Sequence, residues 1–390
     1  MSRKLRHEDY TVGWISPLEV EYLPAVVMLD EEHERLPQPP HDYNAYTLGS
    51  IHGHNVVIAC LPGAGNSSAA AAATQMRNTF TSLRFVLLVG IGGGVPTRTD
   101  SGYIKLGDLV VSKPEGAHSG VVQYDRGKAM SGAFQRTGSL APPPKILLNV
   151  AQELAVRRDL SVKDPLKENL QRIDTACSKF SKYRFPGREQ DRLYEASYEH
   201  KNPNVQCTEC GCDSARLVHR DNDDDDDYED DEEEEIVIHR GNIASGDMVI
   251  NDAQLRDKLA AELNVLCFDT EAAGVLDDTP CLVIRGISHY SDSHANDQWQ
   301  GYAAAVAAAY ARQLFFHLPI DATTQAPKVT ATHAFDHDVK ILMQMASQML
   351  LDRQQKIHAW LAAPDPSSNL NLASEQKGED VASLWRVSSV

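Results

Sequence analysis

The chain lacks any apolar run of about eighteen residues, the length a helix needs to span a bilayer, and its N-terminus MSRKLRHEDYTVGW lacks the apolar core of a secretory signal. The expectation is a soluble, cytoplasmic protein without a membrane partner. Basic residues are outnumbered, 37 Lys and Arg against 55 Asp and Glu, and no basic patch with interleaved aromatics appears. Nucleic acid is therefore not an expected partner. The cysteines are seven, an odd number spread along the chain, which fits reduced thiols and not a disulfide framework. Cys60, Cys267 and Cys281 sit inside strand-like runs and read as small core residues. GAGNSS (63–68) is half of a dinucleotide fingerprint, without its last glycine and without an acidic residue ending the next strand. No cofactor is expected from it. No internal repeat is present.

What the chain does have is 390 residues at 42% hydrophobic content, enough for one large core or two modest ones. The formal charge of −18 is uneven, because Asp221–Glu235 carries thirteen acidic residues and leaves the remainder near −5. That run reads as a solvated, disordered loop. Short β-rich runs bounded by turn residues lie at 10–16, 55–60, 84–91, 107–112, 264–268 and 281–287. Ala-rich helical stretches at 69–80 and 302–318 lie among them. The alternation predicts an α/β fold with a mixed, largely parallel twisted central sheet flanked by helices. Residues 140–238 interrupt the rhythm and read as a loop-rich insertion with its own local structure. The expected division is a domain over 1–318, then a linker, an amphipathic helix at 339–361 and a flexible tail to 390.

Four segments bear chemistry: VGIGGGV (89–95), ASGD (244–247), FDTEAAG (268–274) and IRGISHYSDSH (284–294). Each is an apolar run ending in Gly, Ser, Asp or Glu, as where strands meet a small-molecule pocket. In GIGGG, Gly92 and Gly93 admit a ligand that a Cβ would push away. Glu271, just past a strand and opening a helix, can accept both hydroxyl protons of a ribose; Asp269 or Thr270 can instead cap that helix. Ser245 and Asp247 suit either the edge of a bound base or a turn. In YEHKNPNVQCTECGCD, His200, Cys207, Cys210 and Cys212 offer soft ligands, and Cys-x-x-Cys is a zinc half-site. There is no second well-spaced pair, so no metal is assigned.

The combination of GIGGG, KLGDLVVS (105–112), IASGD (243–247) and the TEAAG turn (270–274) resembles the nucleoside phosphorylase/nucleosidase superfamily over roughly 10–130 and 238–318. It is most similar to the N-terminal domains of fungal immune-receptor-like multidomain proteins, and its tail HAWLAAPDPSSNLNLA (358–373) resembles the segment that precedes a nucleotide-binding signalling module in them. The resemblance implies cleavage of a purine N-glycosidic bond, a nucleoside as the small-molecule partner, a homo-oligomer, and a signalling partner reached through the tail. Phosphorylases of the superfamily carry arginines at the positions of Glu19 and Leu88 and a hydroxyl at that of Ile91. A dianion needs such cations, so hydrolysis is favoured over phosphorolysis. By the same resemblance Glu21 matches the nucleosidase glutamate that activates water.

His289 stands where relatives place an Asp that shares a proton with purine N7. A protonated imidazole can take that task near neutrality, and Asp292 is a substitute. Thr270 replaces a Met beneath the ribose, and Val249 an aromatic against the base. The expected reaction is purine nucleoside plus water giving base and ribose, adenosine first. Phosphorolysis, or non-catalytic nucleoside sensing, are the alternatives.

Overall fold

The computed structural model describes residues 5–202, 205, 207–220 and 235–320. Contacts divide the chain into Met1–Val329 and Thr330–Val390, and every described residue lies in the first unit. The amphipathic helix and tail expected beyond 320, and nearly all of the acidic run, lie outside the described residues.

The first half alternates strand and helix: β1 (Val12–Ser16), α1 (Glu19–Val27), β2 (Glu31–His33), β3 (Ala45–Ile51), β4 (His54–Cys60), α2 (Asn66–Thr79) and β5 (Phe85–Gly94). A small hairpin of β6 (Arg98–Thr99) and β7 (Gly102–Tyr103) leads to β8 (Leu109–Ser112) and β9 (Val121–Gln123), then a second hairpin of β10 (Gly127–Met130) and β11 (Ala133–Arg136). Helices α3 (Lys145–Asp159), α4 (Pro165–Leu170) and the single turn α5 (Cys207–Cys210) fill the interrupted stretch. The rhythm resumes with β12 (Ile238–Ser245), α6 (Ala253–Leu263), β13 (Val265–Asp269), α7 (Ala272–Leu276), β14 (Cys281–His289) and α8 (Gln300–Phe315).

The main sheet runs β13-β12-β8-β14-β5-β1-β4-β3-β2, with β9 beside β12. It is mixed and mainly parallel, the antiparallel pairs being β2–β3, β3–β4, β8–β14 and β5–β13. The last pair closes one end of the sheet on itself, Phe268 opposite Gly93 and Cys267 opposite Gly94. Glycine run and acidic turn are thereby neighbours, although 173 residues of chain lie between Gly94 and Phe268. GIGGG is thus the end of strand β5 and not a turn after it.

Strands β1, β5 and β14 are continuous apolar runs because both faces are covered. One cover is α8, whose Ala-rich sequence favours helix and also lets neighbours approach from every side. Gly286 of β14 is where α8 comes closest: a Cβ there would press into the backbone of Ala303. The stretch expected to have its own local structure instead shares this core. Leu147, Val150 and Leu154 of α3, and Leu166 of α4, are buried in the same cluster as the sheet, each contributing roughly 1.5–3 kcal/mol. Replacing Gly286 by Ala should cost about 1–3 kcal/mol through overpacking, read as a fall in Tm; an unchanged Tm would mean that α8 does not lie this close.

Candidate functional site

The site is built around a charge that the apolar run CLVIRGI carries into the sheet. Arg285 of β14 is fully buried. Its Nε and Nη2 donate to Asp269 Oδ2 at 3.0 and 2.7 Å, and Nη2 also donates to Glu271 Oε2 at 3.1 Å. Nη1 donates to the Ile91 carbonyl at 3.3 Å. Burial disfavours the guanidinium's charge, yet Asp269, Glu271 and Glu21 outweigh it and hold its pKa above the ordinary value. Removing one member of such a buried set typically costs about 3–5 kcal/mol.

Glu21 occupies the third position of α1, where glutamates commonly reach back to the start of the helix. Its Oε2 accepts from the Leu18 N–H at 2.6 Å and its Oε1 from the Ile91 N–H at 2.7 Å. The Ile91 backbone therefore joins carboxylate and guanidinium, its N–H on Glu21 and its C=O on Arg285. Gly90 is required here, since a Cβ would collide with Glu21 Oε1 and with Arg285 Nη1. Burial raises the Glu21 pKa to about 7, against the lowering pull of Arg285 and of the two backbone donors.

Glu271 begins α7. Its Oε1 accepts from the Gly65 N–H at 3.2 Å and from the Thr270 hydroxyl. With Arg285 on Oε2, three of its roughly four lone-pair positions are taken, so one ribose hydroxyl is accommodated more readily than two. Asp269 does cap α7, Oδ1 accepting from Ala272 N at 3.3 Å, while its other oxygen holds Arg285. Ser245 Oγ accepts from Ala273 N at 2.9 Å, and Asp247 Oδ1 from Asn66 N at 2.9 Å. The start of α2, where a dinucleotide phosphate would sit, is thus occupied by the protein's own carboxylates, Asp247 and Glu271.

A second neighbourhood lies further along β14. His289 pairs with Gly93 as Arg285 pairs with Gly90, and a Cβ at Gly93 would strike Ser291 Oγ and the His289 ring. The Ser291 N–H donates to His289 Nδ1 at 3.0 Å, which places the neutral ring's proton on Nε2. Burial lowers the His289 pKa, only partly opposed by Asp292 and Asp297. Burial thus works against the protonated imidazole expected near neutrality, and the Ser291 contact leaves Nε2 to carry the neutral ring's proton. His289 and Asp292 line a cavity of about 40 Å³ together with Gln190, Arg192, Cys207 and His294, room for a few waters.

Of the residues singled out in sequence, Glu21, Asp269, Thr270 and Glu271 form one cluster, with Gly92 3.3 Å from Arg285 Cβ when given a Cβ of its own. Asp292 instead accepts from His294 N at 2.9 Å and faces Arg256 at 3.9 Å. Val249 lies on the surface, 64% exposed. Sequence reading missed Arg285, whose signal was a lone charge within an apolar strand, and Asn66, whose buried Oδ1 accepts from Gly274 N.

No protein-family model matches the chain. Over 313 residues it is 42% identical to a nucleotide-binding leucine-rich repeat (NLR)-like protein of Hyaloscypha variabilis, covering 80% of this chain and 29% of that one. It is 24% identical over 258 residues to the ATP nucleosidase Cap17 of Escherichia coli, 65% of this chain and 39% of that one. The chain thus spans well under half the length of the curated relatives it matches. Similar solved structures are a futalosine hydrolase of Helicobacter pylori (17% identity, 79% of this chain and 98% of that one, TM-score 0.49) and a 5′-methylthioadenosine/S-adenosylhomocysteine nucleosidase of the same organism (16%, 78% and 97%, TM-score 0.49). The likeness to these solved structures is one of fold. Among the described residues no helix is long and apolar enough to cross a membrane.

The raised pKa of Glu21 has two consequences of opposite value. The folded state binds its proton more tightly than the unfolded chain, whose carboxylate titrates near 4.5. Its contribution to stability is complete below pH about 4.5 and is lost as pH rises to about 7. A base acting through Glu21 gains over the same range. Any reaction in which Glu21 acts as the base should therefore rise with pH along a limb centred near 7. Glu21→Gln should lower kcat by about 10²–10⁴ while sparing substrate affinity. A flat pH profile, or a Gln variant at full rate, would remove Glu21 from the reaction.

Proposed function

We propose that the chain hydrolyses the N-glycosidic bond of purine nucleosides or nucleotides, releasing the free base. The observation that carries this reading is the ratio of charges around Glu21: three buried carboxylates, Glu21, Asp269 and Glu271, share one guanidinium, Arg285, which two of them already bind. A phosphate dianion brought there would meet net negative charge, whereas a neutral water would not be repelled. In this reading Glu21, held by Leu18 and Ile91, takes a proton from water as the oxygen attacks the anomeric carbon. The C–N bond breaks with its electron pair on the purine. Glu271 accepts a ribose hydroxyl, and the Nε2–H of His289 donates to the electron-rich base.

Adenosine is the first substrate proposed. ATP stands beside it, because a relative bears the name ATP nucleosidase. A second reading, binding without turnover, is supported by the NLR-like relative, of which this chain matches a limited share. On either reading the proposed setting is cytoplasmic and homo-oligomeric, with coupling to a signalling partner.

Chromatography of adenosine and ATP incubated with the protein, with and without inorganic phosphate, tests the proposal. The expected outcome is adenine in phosphate-free buffer, with ribose or its 5′-triphosphate as co-product. Turnover that requires phosphate and yields ribose 1-phosphate would establish phosphorolysis instead. Tight binding by calorimetry without base release would favour sensing.

A further inference from the structure

Away from the acidic cluster, four side chains with no part in the reaction converge: His200, Cys207 and Cys212 from the interrupted stretch, and His294 from the segment after β14. One donor atom from each lies within 4.8 Å of every other. Cys207 Sγ is 3.5 Å and Cys212 Sγ 3.9 Å from His294 Nδ1. In a tetrahedron with metal–sulfur bonds of about 2.3 Å and metal–nitrogen bonds of about 2.0 Å, the sulfur–nitrogen edge is roughly 3.5 Å. The ring of His294 is also oriented as a ligand would be. Its Nε2–H donates to the Tyr198 carbonyl at 3.0 Å, which leaves the Nδ1 lone pair facing both sulfurs. A backbone acceptor on the far nitrogen is the usual support of a metal-bound imidazole. The ring is further stacked on Tyr194, with centroids 4.1 Å apart, and the backbone of His200 is tied to Ser293 Oγ at 2.9 Å.

We propose that His200, Cys207, Cys212 and His294 bind a structural zinc ion that fastens the interrupted stretch to the segment after β14 that carries Asp292. Two thiolates and two neutral imidazoles cancel the charge of a divalent cation, each thiol giving up its proton on binding. That balance suits a half-buried position. A tetrahedral set of two sulfurs and two nitrogens selects zinc among abundant divalent ions. Cys210, one of the ligands offered by the sequence, lies outside this set, and His294, distant in sequence, takes its place. The cavity beside His289 is lined by two of the ligands, Cys207 and His294. The ion therefore fixes one wall of that cavity. The inference stands whether or not the chain cleaves nucleosides.

Metal analysis of the full chain, purified without a metal-affinity column, should find about one zinc per chain. Cobalt exchanged into the protein should show thiolate-to-metal charge transfer and the intense visible bands of a tetrahedral site. Cys207→Ser and His294→Gln should each lose the bound metal, whereas Cys210→Ser retains it; chelation should lower the Tm of the wild type. Wild-type protein that holds no zinc and takes up no cobalt would overturn the proposal, even if the variants fail to fold. So would loss of metal in Cys210→Ser equal to that in Cys207→Ser, or a disulfide joining Cys207 to Cys212.

Discussion

A guanidinium held at full burial between carboxylates governs the rest of the molecule. Arg285 cannot sit inside a sheet without partners, because an unpaired charge there costs several kcal/mol. Asp269 and Glu271 supply them from the end of β13, and Ile91 supplies a carbonyl from β5. Strand order follows from the same demand. Only where β13 closes back onto β5, with β14 already beside β5, do all three groups reach one point.

The same arrangement sets what the site can do. Glu21 shares the field of that one cation with two other carboxylates, so burial prevails and its proton is held to about pH 7. A carboxylate that titrates near neutrality is useful as a base and costly to the fold, on the order of 3 kcal/mol when ionised. Gly90 and Gly93 serve this economy of space, giving up side chains so that Glu21, Arg285 and His289 can approach the strand.

Much of this was legible in the sequence. The six β-rich runs overlap β1, β4, β5, β8, β13 and β14, because buried parallel strands read as apolar runs ended by glycine or acid. The expected helices at 69–80 and 302–318 overlap α2 and α8 for the reason that alanine favours helix. β3 was not read, since AYTLGSI is a half-buried antiparallel strand of mixed character. Asp269 and Glu271 were singled out from the FDTEAAG turn and Glu21 through resemblance, but what unites them is Arg285, and pairing across a sheet leaves no local trace. The protonation of His289 depends on burial and on the Ser291 N–H, neither of which is a property of the tripeptide around it. The cysteine patch was half visible: His200, Cys207 and Cys212 belong to one motif, while His294 arrives from another part of the chain.

The account rests on solvent as the nucleophile. The most direct measurement is a single turnover of adenosine in water enriched in oxygen-18 with unlabelled phosphate present. Mass spectrometry of the sugar follows at once, before its anomeric oxygen exchanges. One labelled oxygen on the anomeric carbon is the predicted result, at the same rate whether phosphate is added or left out. Sugar released as an unlabelled phosphate ester would contradict it.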